Sequence, residues 1–187
     1  MTAEQSDDTV LEATRQWLLR AVIGLNLCPF AKSVYIKEQI RYVVSHANTE
    51  DDLMTQLETE LLYLFDADPS QVDTTLLIAP FALDDFLDYN DFLRRANHLL
   101  KRMRLKGELQ IASFHPQYQF SDSEPGAIEN YTNRAPYPTL HLLRETSITR
   151  AVESFPDPAS IYERNQETLR QLGIEGWHAI LHPPRQD

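Results

Sequence analysis

Chemistry in this sequence could be carried by a single cysteine, by six histidines, and by asparagines and arginines gathered between residues 128 and 145. Cys28 sits in GLNLCPFA, directly before a proline. Its thiol becomes a nucleophile or a soft-metal ligand only as the thiolate, and a His or Arg neighbour would have to stabilise that form. The competing reading is a small buried core side chain, a common fate of free cysteine. The end of a helix, where Cys28 falls, would not lower its pKa. His115 closes the apolar run LQIASFH before Pro116, with Tyr118 three residues on. Imidazole suits proton transfer near neutral pH, whereas a strand-end histidine satisfied by backbone is the plainer alternative. Candidate catalytic residues are therefore Cys28, His115, Tyr118 and His141, the last from the run TLHLLR.

The stretch IENYTNRAPYPTLHLLRE surrounds the run LHLL, three leucines and a histidine, with polar residues. Strand alternation sends Thr139, His141 and Leu143 to one face and Leu140, Leu142 and Arg144 to the other. Arginine forks match carboxylate and phosphate, so Arg134 and Arg144 are candidate anion clamps, with Glu145 beside them. Asn130 and Asn133 would shape the loop or donate to a developing oxyanion. The expectation is that LHLL anchors the segment while Asn133, Arg134, Arg144 and Glu145 stand at the rim of a crevice; a structural salt bridge is the competing role for the arginines. Cys28, His115 and His141 are also a candidate ligand set for a transition metal or haem. His46, His98, His178 and His182 carry no comparable pattern, and His182, before two prolines, is expected to be exposed. The sequence contains no GxGxxG, GxxxxGK[ST], HExxH, CxxC or GxSxG, so several common enzyme classes lack their fingerprints.

These residues need elements to place them. Apolar residues at Leu11, Leu18, Leu19, Val22 and Ile23 predict an amphipathic helix from about Val10 to Leu25. RYVVSHA reads as a strand, and Thr49 with Asp52 opens a helix to about Leu64 with a capping box. TTLLIAP reads as a strand buried on both faces, Phe86 to Arg104 as a helix with Gly107 as its C-cap, and LQIASFHP as a third strand. The βαβαβ order predicts an α/β single domain, residues 1–187, with a mainly parallel sheet of three to five strands covered by helices and a disordered tail over 1–8. Ligands gather beyond the carboxyl ends of such strands. Thr139 to Leu143 is a candidate fourth strand. Asp157 and Pro158 mark a helix start running to Leu172 before Gly173, and WHAILHPP is a candidate edge strand. The long stretch Gln117 to Pro136 is expected to be functional.

Composition bounds the function. A net charge of -11 disfavours general nucleic-acid binding. The basic run RRANHLLKRMRLK is read as the cationic end of a helix. No apolar run approaches a membrane span, and MTAEQSDDTV lacks the basic and apolar parts of a secretory signal, so the expected location is the cytoplasm. One cysteine cannot form an internal disulfide, which agrees with a reducing compartment.

GLNLCPFA, SFHPQYQF and NYTNRAPYPTLHLLRE, in that order, resemble the bacterial family called domain of unknown function 1415 across most of the chain. The resemblance implies no reaction, cofactor or substrate; it marks Cys28, His115, Tyr118, Asn133, Arg134, His141, Arg144 and Glu145 as a shared site. Three functions follow as expectations. The first is a cytoplasmic enzyme acting on a small anionic molecule, with Cys28 as nucleophile and His115 or His141 as base. The second is a metal- or haem-binding protein using Cys28, His115 and His141. The third is a non-catalytic interaction module built on FHPQYQF and PYP.

Overall fold

Helix α1, Asp7–Trp17, starts where a polar cap and two acids coincide: Ser6 accepts a hydrogen bond from Thr9 N–H, and Asp7 and Asp8 occupy the first turn. In this computed structural model residues 6–154, 157 and 160–182 are described. Ordered helix thus begins inside the stretch expected to be a tail. The expected single helix to Leu25 also changes character, because Leu18–Ile23 is a π-helix. Its wider turns end in Asn26 at φ 53, and Cys28 follows in the next turn.

A short helix α2, Ala31–Ile36, leads to β1, Ile40–Val44. Helix α3, Glu50–Asp66, begins as its sequence requires: Thr49 accepts from Asp52 N–H and its hydroxyl bonds the Asp52 carboxylate at 2.7 Å. Leu53, Leu57, Leu61 and Leu64 recur at helical spacing and are fully buried. Each contributes about 1.5–3 kcal/mol relative to exposure. Strand β2, Thr74–Ile78, is buried along its whole length. Helix α4, Phe86–Arg102, is capped by Asp85, which accepts from Leu87 and Asp88 N–H. The basic residues 101–102 fall in its last turn, and the left-handed residue past its end is Arg104 (φ 61), ahead of the expected Gly107.

Strands β3, Leu109–Phe114, and β4, Thr139–Arg144, complete a four-stranded sheet of order β1-β2-β4-β3. Here the expectation of a mainly parallel sheet is corrected. Strands β1 and β2 pair in parallel, but β4 runs antiparallel to both its neighbours, β2 and β3. The three strands of the βαβαβ series still point one way, and β4 is inserted between two of them. Both α3 and α4 cover one face, packing on Val43, Leu77, Leu109, Ile111, Leu140 and Leu142. The other face, bearing Tyr42, Leu76, Ile78 and Phe114, is covered by α1, the π-helix and the last helix. Leucines 140 and 142 face α3 and α4 while His141 faces away, as alternation requires.

Helix α5, Glu145–Glu153, follows β4, and α6 spans Ser160–Leu181 with a break at Gly173 (φ 68). The stop after Leu172 is therefore present. The chain then resumes as helix, and WHAIL is not the edge strand expected of it. Of the expected start at Asp157 and Pro158, Pro158 lies outside the described residues. Among the described residues no helix is long and apolar enough to cross a membrane.

Candidate functional site

Strand direction decides which candidates can meet. Residues 115 and 139 lie at the carboxyl ends of β3 and β2, because Phe114 pairs with Thr139 and Thr139 with Ile78. Arg144 lies five residues along β4, about 17 Å away at the usual rise per residue. A common crevice for Arg134 and Arg144 is therefore ruled out. Arg144 is buried, and its Nη2 donates to Ala67 O at 2.7 Å and Val72 O at 3.1 Å, clamping the turn between α3 and β2. Glu145 begins α5 at that same far end. Both leave the substrate-binding set.

His115 is 0 % exposed, held between Phe86 and Tyr89. Its Nε2–H donates to Leu83 O at 2.9 Å, and its Nδ1 accepts from Gln117 N–H at 3.0 Å. Both ring nitrogens are thus committed to backbone. Burial, the main cause, lowers its pKa, and a proton on Nδ1 would face the Gln117 N–H. The backbone-satisfied reading describes it, and neither a base nor a metal ligand is left free. Tyr118 packs on Phe86 and Phe120, and its carbonyl accepts from Arg134 Nε at 3.3 Å.

His141 faces Phe114 and bonds the Thr74 hydroxyl through Nε2 at 2.7 Å. That hydroxyl directs its hydrogen to Leu142 O at 2.7 Å, so the imidazole is the donor. Some solvent access remains to His141, yet the protein mass around the ring disfavours the imidazolium and pushes its pKa down to about 4. Cys28 packs, partly buried, against the cluster of Trp17, Val22, Leu27 and Trp177. Burial raises its pKa above 9.0, and only the N–H groups of Phe30 and Ala31 oppose this. Among the described residues no imidazole or guanidinium contributes to its pKa. Alkylation of the native protein by iodoacetamide is expected to be slower than that of the urea-unfolded chain at pH 7.5, with a rate inflection above pH 9.0. An inflection near neutrality would show an activated thiolate. Among the described residues no group of three or more His, Cys, Asp or Glu is placed to hold a metal ion, so Cys28, His115 and His141 do not form the expected ligand set.

The long stretch after β3 is organised by Asn130, itself 0 % exposed. Its Oδ1 accepts from Phe120 N–H at 2.9 Å and from the Ser123 hydroxyl, and its Nδ2 donates to Glu124 O at 2.8 Å. Asn130 thus closes the loop as a peg. Residues Ile128–Asn133 form a 3₁₀-helix, and Asn133 ties it to the sheet through Nδ2 to Ser113 O at 3.0 Å. Both asparagines shape the loop. Arg134 comes next: its Nη2 donates to Pro125 O at 2.9 Å, its Nε to Tyr118 O, and its guanidinium lies 4.2 Å from the Tyr131 ring centroid. Among the described residues it forms no ion pair.

Arg134 lines a cleft of about 770 Å³ between α1, the segment 131–136 and the end of α6. The lining is mostly apolar, including Trp17, Tyr131 and Trp177, with Asp8, Glu12, His178 and His182 among its polar groups. None of Cys28, His115, Tyr118 or His141 lines it. Sequence reasoning passed over the two histidines and two acids. Their signal was spacing: Asp8 and Glu12, and again His178 and His182, are four residues apart, hence neighbours on a helix face.

The family model described as "Protein of unknown function (DUF1415)" matches residues 9–179 of the chain. No curated protein and no solved structure matches.

Proposed function

We propose that this chain, which belongs to the DUF1415 family, binds a small anionic molecule with an apolar body in the cleft between α1 and α6, Arg134 holding the anion. The observation that carries this reading is the state of Arg134. Two backbone carbonyls and an aromatic ring fix its guanidinium, no carboxylate among the described residues neutralises it, and it borders a cleft walled by aromatic side chains. A prefixed fork loses little entropy when an anion arrives, and clefts of this volume with a largely apolar surface are typical of small-molecule sites. Proton transfer on a bound molecule would fall to His178 or His182, since imidazole is the side chain best suited to accept and donate protons near neutral pH. The expected cytoplasmic enzyme thus keeps its anionic substrate and its arginine, while the thiol leaves the mechanism.

Thermal shift with a panel of aromatic and aliphatic carboxylates and phosphates tests the reading. Ligand at a hundred times its Kd stabilises by about 2.7 kcal/mol, well within the reach of the method. Arg134→Gln keeps a donor for the loop carbonyls and removes the charge. It is expected to weaken anion binding about tenfold or more, the size of a charge-assisted bond. A panel that leaves the wild type unshifted, or shifts that survive Arg134→Gln undiminished, refutes the role given to Arg134.

A further inference from the structure

Asp7 and Asp8 are adjacent in sequence yet differently placed. Asp7 turns to His46 at 3.1 Å, whereas Asp8 lines the cleft and has no hydrogen-bond or ion-pair partner among the described residues. Glu12, one turn further along α1, lines the cleft as well. Gln16 donates to its Oε1 at 2.7 Å, which steadies the carboxylate and leaves its second oxygen available. Neither acid pairs with Arg134. The cleft therefore holds two carboxylates and one guanidinium that do not neutralise one another, with Trp17, Tyr131 and Trp177 as its large apolar walls. A purely anionic ligand would satisfy the arginine and add to the negative charge already present. A ligand that also carries a cation removes this conflict.

We infer that the ligand is dipolar: an ammonium group at Asp8 and Glu12, an anionic group at Arg134, and an apolar or aromatic body between them. This rests on the reading of Arg134 given above. Large aromatic amino acids and short apolar peptides have this chemistry, and about 770 Å³ accommodates either. An ammonium beside aromatic faces gains cation–π attraction in addition to its pairing with carboxylates. The helix dipole offers a different reason for an acid at position 8, since acids stabilise a helix N-terminus. That role predicts an effect on stability alone.

The test compares ligands that differ only in the amine, by calorimetry on the full chain at pH 7.5. Phenylalanine is set against 3-phenylpropionate, and phenylalanyl-phenylalanine against its N-acetyl form. The amine-bearing member of at least one pair is expected to bind about tenfold more tightly. The pair in which this appears separates an amino acid from a peptide. In the Asp8→Asn/Glu12→Gln double variant that preference is expected to fall below about threefold, while binding of the amine-free compounds holds or strengthens. In Arg134→Gln both members of the pair weaken together. Equal binding within both pairs, or a preference that survives the double variant, overturns the dipolar ligand while leaving Arg134 as an anion anchor. Binding of no compound in either pair overturns the inference, and the panel of amine-free anions then decides Arg134 separately.

Discussion

Replacing Asn130 with alanine is expected to lower folding stability by about 2–4 kcal/mol and to remove, together with it, the ligand binding proposed for the cleft. The alanine would leave Phe120 N–H and Glu124 O without the partners that now sit at 2.9 and 2.8 Å. Each buried group left unpaired costs about 1–3 kcal/mol, less where water can enter from the exposed side of this loop. The functional effect follows from the attachment of Arg134 to Tyr118 O and Pro125 O, carbonyls of the loop that Asn130 closes. Once the loop opens, the guanidinium loses its fixed position. Asn130→Asp should be at least as damaging, because an oxygen would replace Nδ2 opposite the Glu124 and Pro125 carbonyls. Urea unfolding of both variants checks the first effect and calorimetry the second. Wild-type stability in Asn130→Ala would mean that the loop holds its shape without the peg.

Acid should destabilise this protein in large part through His141. The unfolded chain protonates His141 near its ordinary 6.5, while the folded ring resists until about 4 because burial disfavours its charge. Between these values the unfolded state binds more protons, so the stability contributed by the neutral ring is fully present above pH 6.5 and declines as pH falls to about 4. At about 1.4 kcal/mol per pKa unit the loss approaches about 3 kcal/mol. His115, also held neutral by burial, acts in the same sense. His141→Gln keeps a donor for the Thr74 hydroxyl and removes the titration. Its unfolding free energy should therefore fall by about 3 kcal/mol less than that of the wild type between pH 7 and pH 4. Parallel pH profiles for the two proteins would show that His141 titrates normally when folded.

Much of the frame was legible because local rules governed it. The Thr49–Asp52 cap, the leucine spacing of α3, the uninterrupted apolar run of β2 and the alternation around His141 each depend on residues within a few positions of one another. The insertion of β4 was not legible, since it depends on which strands pair across residues 79–138. That one long-range choice set the Arg134 end of β4, and not the Arg144 and Glu145 end, beside His115 at the carboxyl ends of β2 and β3, whereas the separation of Arg144 from Arg134 follows from the length of β4 alone. At the site, Arg134 stood out as a cation in a polar loop. Asp8, Glu12, His178 and His182 did not, because the cleft forms between the first helix and the last. WHAILHPP read as a candidate edge strand, although Trp177 and Leu181, like His178 and His182, already had helical spacing.

The strand order β1-β2-β4-β3 also sets the sequence of events in folding. Strands β1 and β2 can pair as soon as the helix between them has formed, since both come from residues 40–78. Strand β3 has no such opportunity: among the described residues its only neighbour in the sheet is β4. During synthesis LQIASF must therefore wait, with its backbone groups unpaired, until TLHLLR has emerged. Contacts of that sequence separation slow folding, and a waiting apolar strand is the segment most open to chaperone capture or to pairing with another chain. One antiparallel strand makes the closure of this sheet a late event that depends on residues from both sides of the Arg134 loop.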